Sequence, residues 1–263
     1  MNISLQSLSV AYGSRVVLHP IDLCAQPGRV LGIVGPNGSG KSTLVKAVAG
    51  QVKASGQLLF NGSAQRPGSI GYMPQDQLSL AALSVLEVVL LGRLHQLRLK
   101  VQPEDLAAVR RVLQRLGIES LAGRDVRQLS GGQRQMVFLA QALVSQPKVL
   151  LLDEPISALD ICHQLEVLEV VHQTTRQQGL TTLLVLHDLN AAARFCDDVV
   201  LLKDGQLLAC GSPAQVLTVA HVAQAFGVAT EALRCADGTV VLVPKRALPR
   251  HTHAIDDVAL NPF

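Results

Sequence analysis

Apolar positions along the chain follow two rhythms, and the points where one gives way to the other outline the molecule. Over the first 35 residues short apolar runs alternate with turns: ISLQSLSVAY, then VVLHPIDLCA, a Pro27-Gly28 turn, then RVLGIVG. The last is a short apolar run of the kind expected of a buried strand. Helix is expected from Lys41 to about Gly50, and QLLFNG reads as a strand ending in an Asn61-Gly62 turn. From about residue 78 to 145 the rhythm lengthens and predicts an all-helical insertion. Within it Leu106, Val109, Leu113 and Leu116 recur at helical spacing between Pro103, which opens the helix, and Gly117, which ends it.

Strand texture returns with VLLLD at 149–153. Asp160 can N-cap a helix carrying Ile161, Leu165, Leu168 and Val171, closed by Gly179. TTLLVLH at 181–187 is strand again; VVLLKDGQLLACG predicts a hairpin turning at Asp204-Gly205, with a second at Asp237-Gly238. Apolar strands alternating with helices imply an α/β core with parallel pairing. Residues 1–248 are expected to form a single domain, and 249–263 a polar, irregular tail.

Composition narrows the classes. The 263 residues are 48% hydrophobic, enough for a sizeable core. No run reaches the ~18 apolar residues of a membrane span; the stretch from Leu78 to Leu94 is interrupted by Ser79, Ser84, Glu87, Gly92 and Arg93. The N-terminus, MNISLQSLSV, has no basic region followed by an apolar block, so no signal peptide is expected and a soluble cytosolic chain is the default. A net charge of +3 and 3% aromatic residues argue against a nucleic-acid partner. Cys24, Cys162, Cys196, Cys210 and Cys235 form no CxxC pair, which suits a reducing compartment and a role as core filler.

Candidate chemistry concentrates in four places. GPNGSGKST, comprising Gly35, Pro36, Asn37, Gly38, Ser39, Gly40, Lys41, Ser42 and Thr43, fits a phosphate-binding loop between a strand and a helix. Its glycines let successive N–H groups face a phosphate, and the helix end adds roughly half a positive charge. Lys41 can reach the β- and γ-phosphates, and the Ser42 hydroxyl can ligate Mg²⁺. VLLLDE delivers Asp153 to a strand's carboxyl end to orient the Mg²⁺ shell, with Glu154 placed to polarise water as a general base. Alone, such a pair also fits a solvated strand end. His187, after TTLLVL, could contact a γ-phosphate or the attacking water, although a lone histidine is more often structural. Gln75, in GYMPQD, is expected in a loop.

LSGGQRQ, residues 129–135, holds no acid, histidine or cysteine, and by itself catalyses nothing obvious. In LSGGQRQMVFLAQALV it reads as the start of a helix with Ser130 at the N-cap, hence a second helix end able to bind an anion.

Taken in order, these motifs resemble an ATP-binding-cassette (ABC) ATPase over about residues 1–245. The matching features are Tyr12 as an adenine-stacking aromatic, the loop at 35–43, Gln75 as the Q-loop, LSGGQ at 129–133 as the signature, VLLLDE at 149–154, SALD at 157–160 as the D-loop, and His187 as the switch histidine. The resemblance implies a P-loop NTPase cassette with a RecA-like core, an antiparallel β-subdomain and an inserted α-helical subdomain. It implies ATP and Mg²⁺ as ligands, the metal near Ser42, Gln75 and, through water, Asp153. It also implies a head-to-tail homodimer in which Ser130, Gly131, Gly132 and Gln133 of one chain, with its Asp160, serve the nucleotide on the other.

The lack of membrane spans, the short insertion, the single motif set and the short C-terminal extension resemble a stand-alone transporter subunit. VLEVVLLGR, LDICHQLEVLEVV and LLVLHDLNAAARFCDDVVLLKDGQLLACGSPAQVLT resemble ATPases importing ferric siderophores, haem or cobalamin, the siderophore branch above all. Zinc and manganese importers share much of this texture, and a soluble cassette acting in DNA repair or regulation is the reading from another class. The implied partners are integral-membrane permease subunits at the cytoplasmic face of the inner membrane and, indirectly, an extracytoplasmic substrate-binding protein. Two features depart from the pattern: the segment from Gly62 to Gln75 is short, and Ile156 stands where the family usually has Thr. His251 and His253, near Asp256 and Asp257, invite a metal-site reading, but such a tail is more often mobile and polar.

Overall fold

The structure is a computed structural model and describes residues 1–75, 82–95, 100–157, 159–236 and 238–249. The chain begins with strands β1 (Ile3–Tyr12), β2 (Arg15–Ala25) and β3 (Arg29–Val34), helix α1 (Lys41–Ala49), and strands β4 (Ser55–Phe60) and β5 (Ile70–Met73). Three helices follow, α2 (Val85–Leu91), α3 (Pro103–Arg115) and α4 (Gly131–Leu143). Next come β6 (Val149–Asp153), α5 (Ile161–Gln178), β7 (Thr181–Val185), α6 (Leu189–Phe195), β8 (Asp198–Lys203) and β9 (Gln206–Gly211). The described chain closes with α7 (Pro213–Val216), α8 (Val219–Phe226) and the hairpin β10 (Val228–Arg234) and β11 (Val240–Ala247).

Six strands form the central sheet in the order β5-β6-β7-β3-β8-β9. All neighbouring pairs are parallel except β8 and β9, which are antiparallel at one edge. Side chains on its inner strands alternate between two cores, as the two-residue strand period requires. Leu31, Ile33, Val149, Leu151, Leu183, Val185, Val200 and Leu202 face one core, together with α1 residues Leu44, Val45 and Val48. The antiparallel sheet β2-β1-β4 covers that core through Ile3, Leu5, Leu18 and Ile21. Val30, Val34, Leu150, Leu152, Leu184, Val199 and Leu201 face the other core, shared with α2 to α6. Burial on both faces explains why these strands read as unbroken apolar runs.

Polar residues mark the helix ends as expected. Ser84 and Glu87 form a reciprocal capping box on α2, and Ser130 and Gln133 do the same on α4. Pro103 opens α3, Asp160 caps α5, and Gly179 ends α5 at φ 62°. The Asn61-Gly62 turn has φ of 50° and 79°, both left-handed, the geometry of a tight hairpin turn.

Three expectations need correction or bounding. The strand predicted over 181–187 ends at Val185, because its neighbour β3 ends at Val34 and turns into the glycine-rich loop. His187 therefore sits in the turn before α6. Only Cys196 is buried; Cys24, Cys162, Cys210 and Cys235 are exposed and do not fill a core. Asp237 of the expected Asp237-Gly238 turn and most of the polar tail, 250–263, lie outside the described residues, as does the His251/His253 cluster. Among the described residues no helix is long and apolar enough to cross a membrane.

Leu151 is fully buried and paired between Tyr72 of β5 and Leu183 of β7. Leu151→Ala is expected to lower stability by about 2–5 kcal/mol. Leu94→Ala, at a position 59% exposed, should stay within about 0.5 kcal/mol. Urea unfolding of the two variants checks the difference, and equal midpoints would contradict the packing described.

Candidate active site

Parallel pairing brings the carboxyl ends of β3, β6 and β7 to one edge of the sheet, where open α/β sheets bind ligands. The loop after β3, Glu154 after β6 and the histidine after β7 meet there around a cavity of about 340 Å³. Its lining includes Gly38, Lys41, Ser42, Gln75, Glu154 and His187.

The loop needs glycine at defined places. Gly35 has φ 153°, and a Cβ there would strike the Leu202 carbonyl on β8. Gly40, at φ 97°, is the N-cap of α1 and has no side chain to occupy the first-turn N–H groups. Those donors remain available to a phosphate. A Cβ on Gly40 would also crowd Leu18 Cδ1 at 3.0 Å and the Val17 carbonyl at 3.2 Å, so β2 closes over the loop. Lys41 Nζ donates to the carbonyls of Gly35 and Pro36, each at 3.0 Å. Burial pushes its pKa down, against the opposing pull of Glu154 and Asp153.

Asp153 is buried at the end of β6 and accepts a 2.9 Å hydrogen bond from the Ser42 hydroxyl through Oδ1. Its Oδ2 is buried without a protein partner. Burial raises its pKa, and the Ser42 hydrogen bond opposes that rise. Tyr72, nearby, is pushed up to about 12 by burial, with the charge of Asp153 adding to the effect. A hydroxyl and an orphaned carboxylate oxygen are a hard oxygen donor set. They suit Mg²⁺, which takes one or two protein oxygens and completes its shell with phosphate and water. Among the described residues no cluster of three or more His, Cys, Asp or Glu could hold a metal ion.

Glu154 is the pivot of the site. Its backbone lies in the left-handed region at φ 56°, and its side chain is buried. One carboxylate oxygen pairs with His187 Nε2 at 2.5 Å, and the other accepts from Gln75 Nε2 at 2.7 Å. The backbone N–H and hydroxyl of Ser157 donate to the Glu154 carbonyl at 3.3 and 3.1 Å. His187 and Gln75, separate candidates in the sequence, thus converge on one acid. Glu154 and His187 can hold a water and accept its proton, while Lys41 and the α1 N-terminus face the leaving charge.

The other candidates lie elsewhere. Tyr12 is half-exposed at the end of β1 and does not line the cavity, whereas Val17 of β2 does. Val17 carried no sequence signal, because an apolar strand residue announces nothing about the ligand it covers. Ser130, Gly131, Gly132 and Gln133 do not line the cavity either. Ser130 accepts the Gln133 N–H at 3.2 Å, leaving its own hydroxyl proton free to donate. Asp160 caps α5 through the His163 N–H at 3.0 Å.

Comparison with known proteins gives these features a family. A family model described as "ABC transporter" matches residues 18–157. A hemin import ATP-binding protein of Bordetella avium is 37% identical, across 89% of this chain and 95% of its own. The iron(3+)-hydroxamate import ATP-binding protein of Bacillus subtilis is 35% identical, across 88% and 89%. Among solved structures, an inward-facing transporter assigned to the metal-chelate type superposes with TM-score 0.83 at 28% identity, covering 93% of this chain and 97% of that one. An ATP-binding cassette of an ABC transporter in its ADP conformation gives 0.77 at 25% identity, covering 86% and 98%. The chain therefore belongs to the ABC transporter ATP-binding family and is an ATP-binding ATPase with the P-loop cassette fold.

Proposed function

We propose that this chain is the ATP-hydrolysing, energy-coupling subunit of an importer for a metal chelate of the ferric siderophore, haem or cobalamin kind. Support comes from one pairing of observations. The loop at 35–43, Asp153, Glu154 and His187 converge on one cavity. Relatives at 35–37% identity over almost nine-tenths of the chain are named as import ATP-binding proteins for hemin and iron(3+)-hydroxamate.

In this reading the N–H groups of the loop and of the α1 N-terminus cradle the phosphates of ATP, and Lys41 bridges the β- and γ-groups. Ser42 and Asp153 would hold Mg²⁺, which when bound supplies charge neutralisation on the same phosphates. Glu154 accepts a proton from the water attacking the γ-phosphorus as the bond to the β–γ bridging oxygen breaks. His187 and Gln75 aim the carboxylate and contact the water and the γ-phosphate. Tyr12 and Val17 flank the adenine. The Ser130 hydroxyl and the N–H groups of Gly131 and Gly132, at the start of α4, donate to the γ-phosphate held by a second copy, and Gln133, whose own N–H is taken by Ser130, braces that helix end. Asp160 faces the same interface. ATP then joins two chains, and hydrolysis removes the group both hold. Closure and opening move permease subunits docked near Gln75 and the helices after β5, at the cytoplasmic face of the inner membrane. An extracytoplasmic binding protein of the same system delivers the chelate.

Glu154→Gln is expected to bind ATP and to lose about 10²–10⁴-fold in phosphate release; near-normal turnover would remove the role given to Glu154. Ser130→Arg is expected to abolish hydrolysis while the isolated chain keeps its affinity for ATP. Loss of binding by the single chain would instead place the signature on its own nucleotide. The cargo is tested by isolating the chain with its permease and measuring vesicle uptake of a ferric hydroxamate, of haem and of cobalamin. ATP-dependent uptake of none of the three would overturn the importer assignment.

A further inference from the structure

The two glycines of LSGGQ pack on the start of α5. A Cβ on Gly131 would touch Leu159 Cδ2 at 3.5 Å, an ordinary contact, whereas one on Gly132 would lie only 2.6 Å from His163 Cγ. The His163 imidazole therefore fills the space a side chain at residue 132 would need, against the first turn of α4. The same ring reaches the opposite way, with Nδ1 2.7 Å from Asp160 Oδ2. A carboxylate only accepts, so Nδ1 carries the hydrogen and donates. The His163 backbone N–H donates to the other carboxylate oxygen at 3.0 Å. These two bonds, the backbone one foremost, hold the Asp160 carboxyl below its usual range. Gln164 Nε2 ties the Leu159 carbonyl into the same turn at 3.0 Å. The His163 and Asp160 side chains are 39% and 65% exposed, so this cluster is a surface feature and not core filler.

We propose that His163 is a positioning residue that locks the Asp160 turn to the N-terminus of the signature helix, so that both present to the second nucleotide as one rigid edge. The inference rests on the reading that Ser130 acts on the partner's ATP. Donors aimed at a γ-phosphate act only at hydrogen-bond distance, and a misplacement near 1 Å costs on the order of 100-fold. The glycine contact fixes the height of the ring over α4, and the Nδ1 bond fixes its rotation and the carboxylate together. Packing alone could be met by phenylalanine, and the hydrogen bond alone by asparagine, whose amide nitrogen lies near the Nδ1 position.

Three variants of the full chain test this, each measured for kcat, for ADP affinity (which reads only the chain's own site) and for melting temperature. His163→Ala is expected to lower kcat about 10- to 100-fold with ADP affinity and melting unchanged. His163→Asn should recover most of the lost turnover, and His163→Phe should not. Wild-type kcat in the alanine variant, failure of asparagine to recover, equal recovery by phenylalanine, or a parallel loss of ADP binding would each overturn the proposal. Turnover lost in Ser130→Arg but kept in His163→Ala overturns this proposal alone. Turnover kept in Ser130→Arg overturns the partner-site reading and this proposal with it.

Discussion

Parallel hydrogen bonding of β3, β7 and β6 is the constraint on which the site depends. Register pairs Ile33 with Val185 and Asp153 with Val185, so the three strands finish level with one another. Each chain segment leaving that edge carries one kind of chemistry: a loop of open N–H groups, two carboxylates and an imidazole. Because both faces of the sheet are buried in separate apolar cores, a one-residue slip would exchange Leu151 with Leu150 or Leu152 and place each in the wrong core. The register that stabilises the fold is thus the register that assembles the candidate catalytic groups.

One strained residue stands where that edge meets chemistry. A non-glycine residue in the left-handed region costs of order 1–3 kcal/mol and persists only where its surroundings hold it. Glu154 is such a residue, held by two bonds from Ser157 to its carbonyl and by His187 and Gln75 on its carboxylate. An acid gripped on both oxygens by groups from two further segments reports on both. Displacing Gln75, which follows β5, or His187, which precedes α6, changes the direction in which the carboxylate points. This gives movement in neighbouring segments a short physical route to the Glu154 carboxylate, the group proposed to activate water.

Much of this was legible in the residues. The apolar run RVLGIVG, the glycine spacing after it and VLLLD required β3, the loop and β6, since few other structures accept such runs beside such turns. Capping signals at Ser130, Asp160 and Pro103 placed α4, α5 and α3 closely, because a side-chain oxygen or a proline acts on its own helix end. Contacts between segments far apart in sequence were not legible. Nothing local in GYMPQD or LLVLHD says that Gln75 and His187 grip the same acid, which depends on strand order. Val17 reaches the cavity only because β2 folds over Gly40. The strand ending at His187 was read two residues too long, because apolar Leu186 continues the pattern beyond the point where β3 turns away.

The start of α4 has a donor helix end capped by Ser130 but does not line the cavity of its own chain. On the proposed function, a site divided in this way is completed by a second copy, with ATP at each junction. Light scattering of Glu154→Gln with saturating ATP and Mg²⁺, combined with nucleotide counting, tests this most directly. The account predicts a particle of twice the chain mass holding two ATP, which separates into single chains when Ser130→Arg is added to the same variant. A single-chain particle at saturating ATP, or a pair that survives Ser130→Arg, would contradict it.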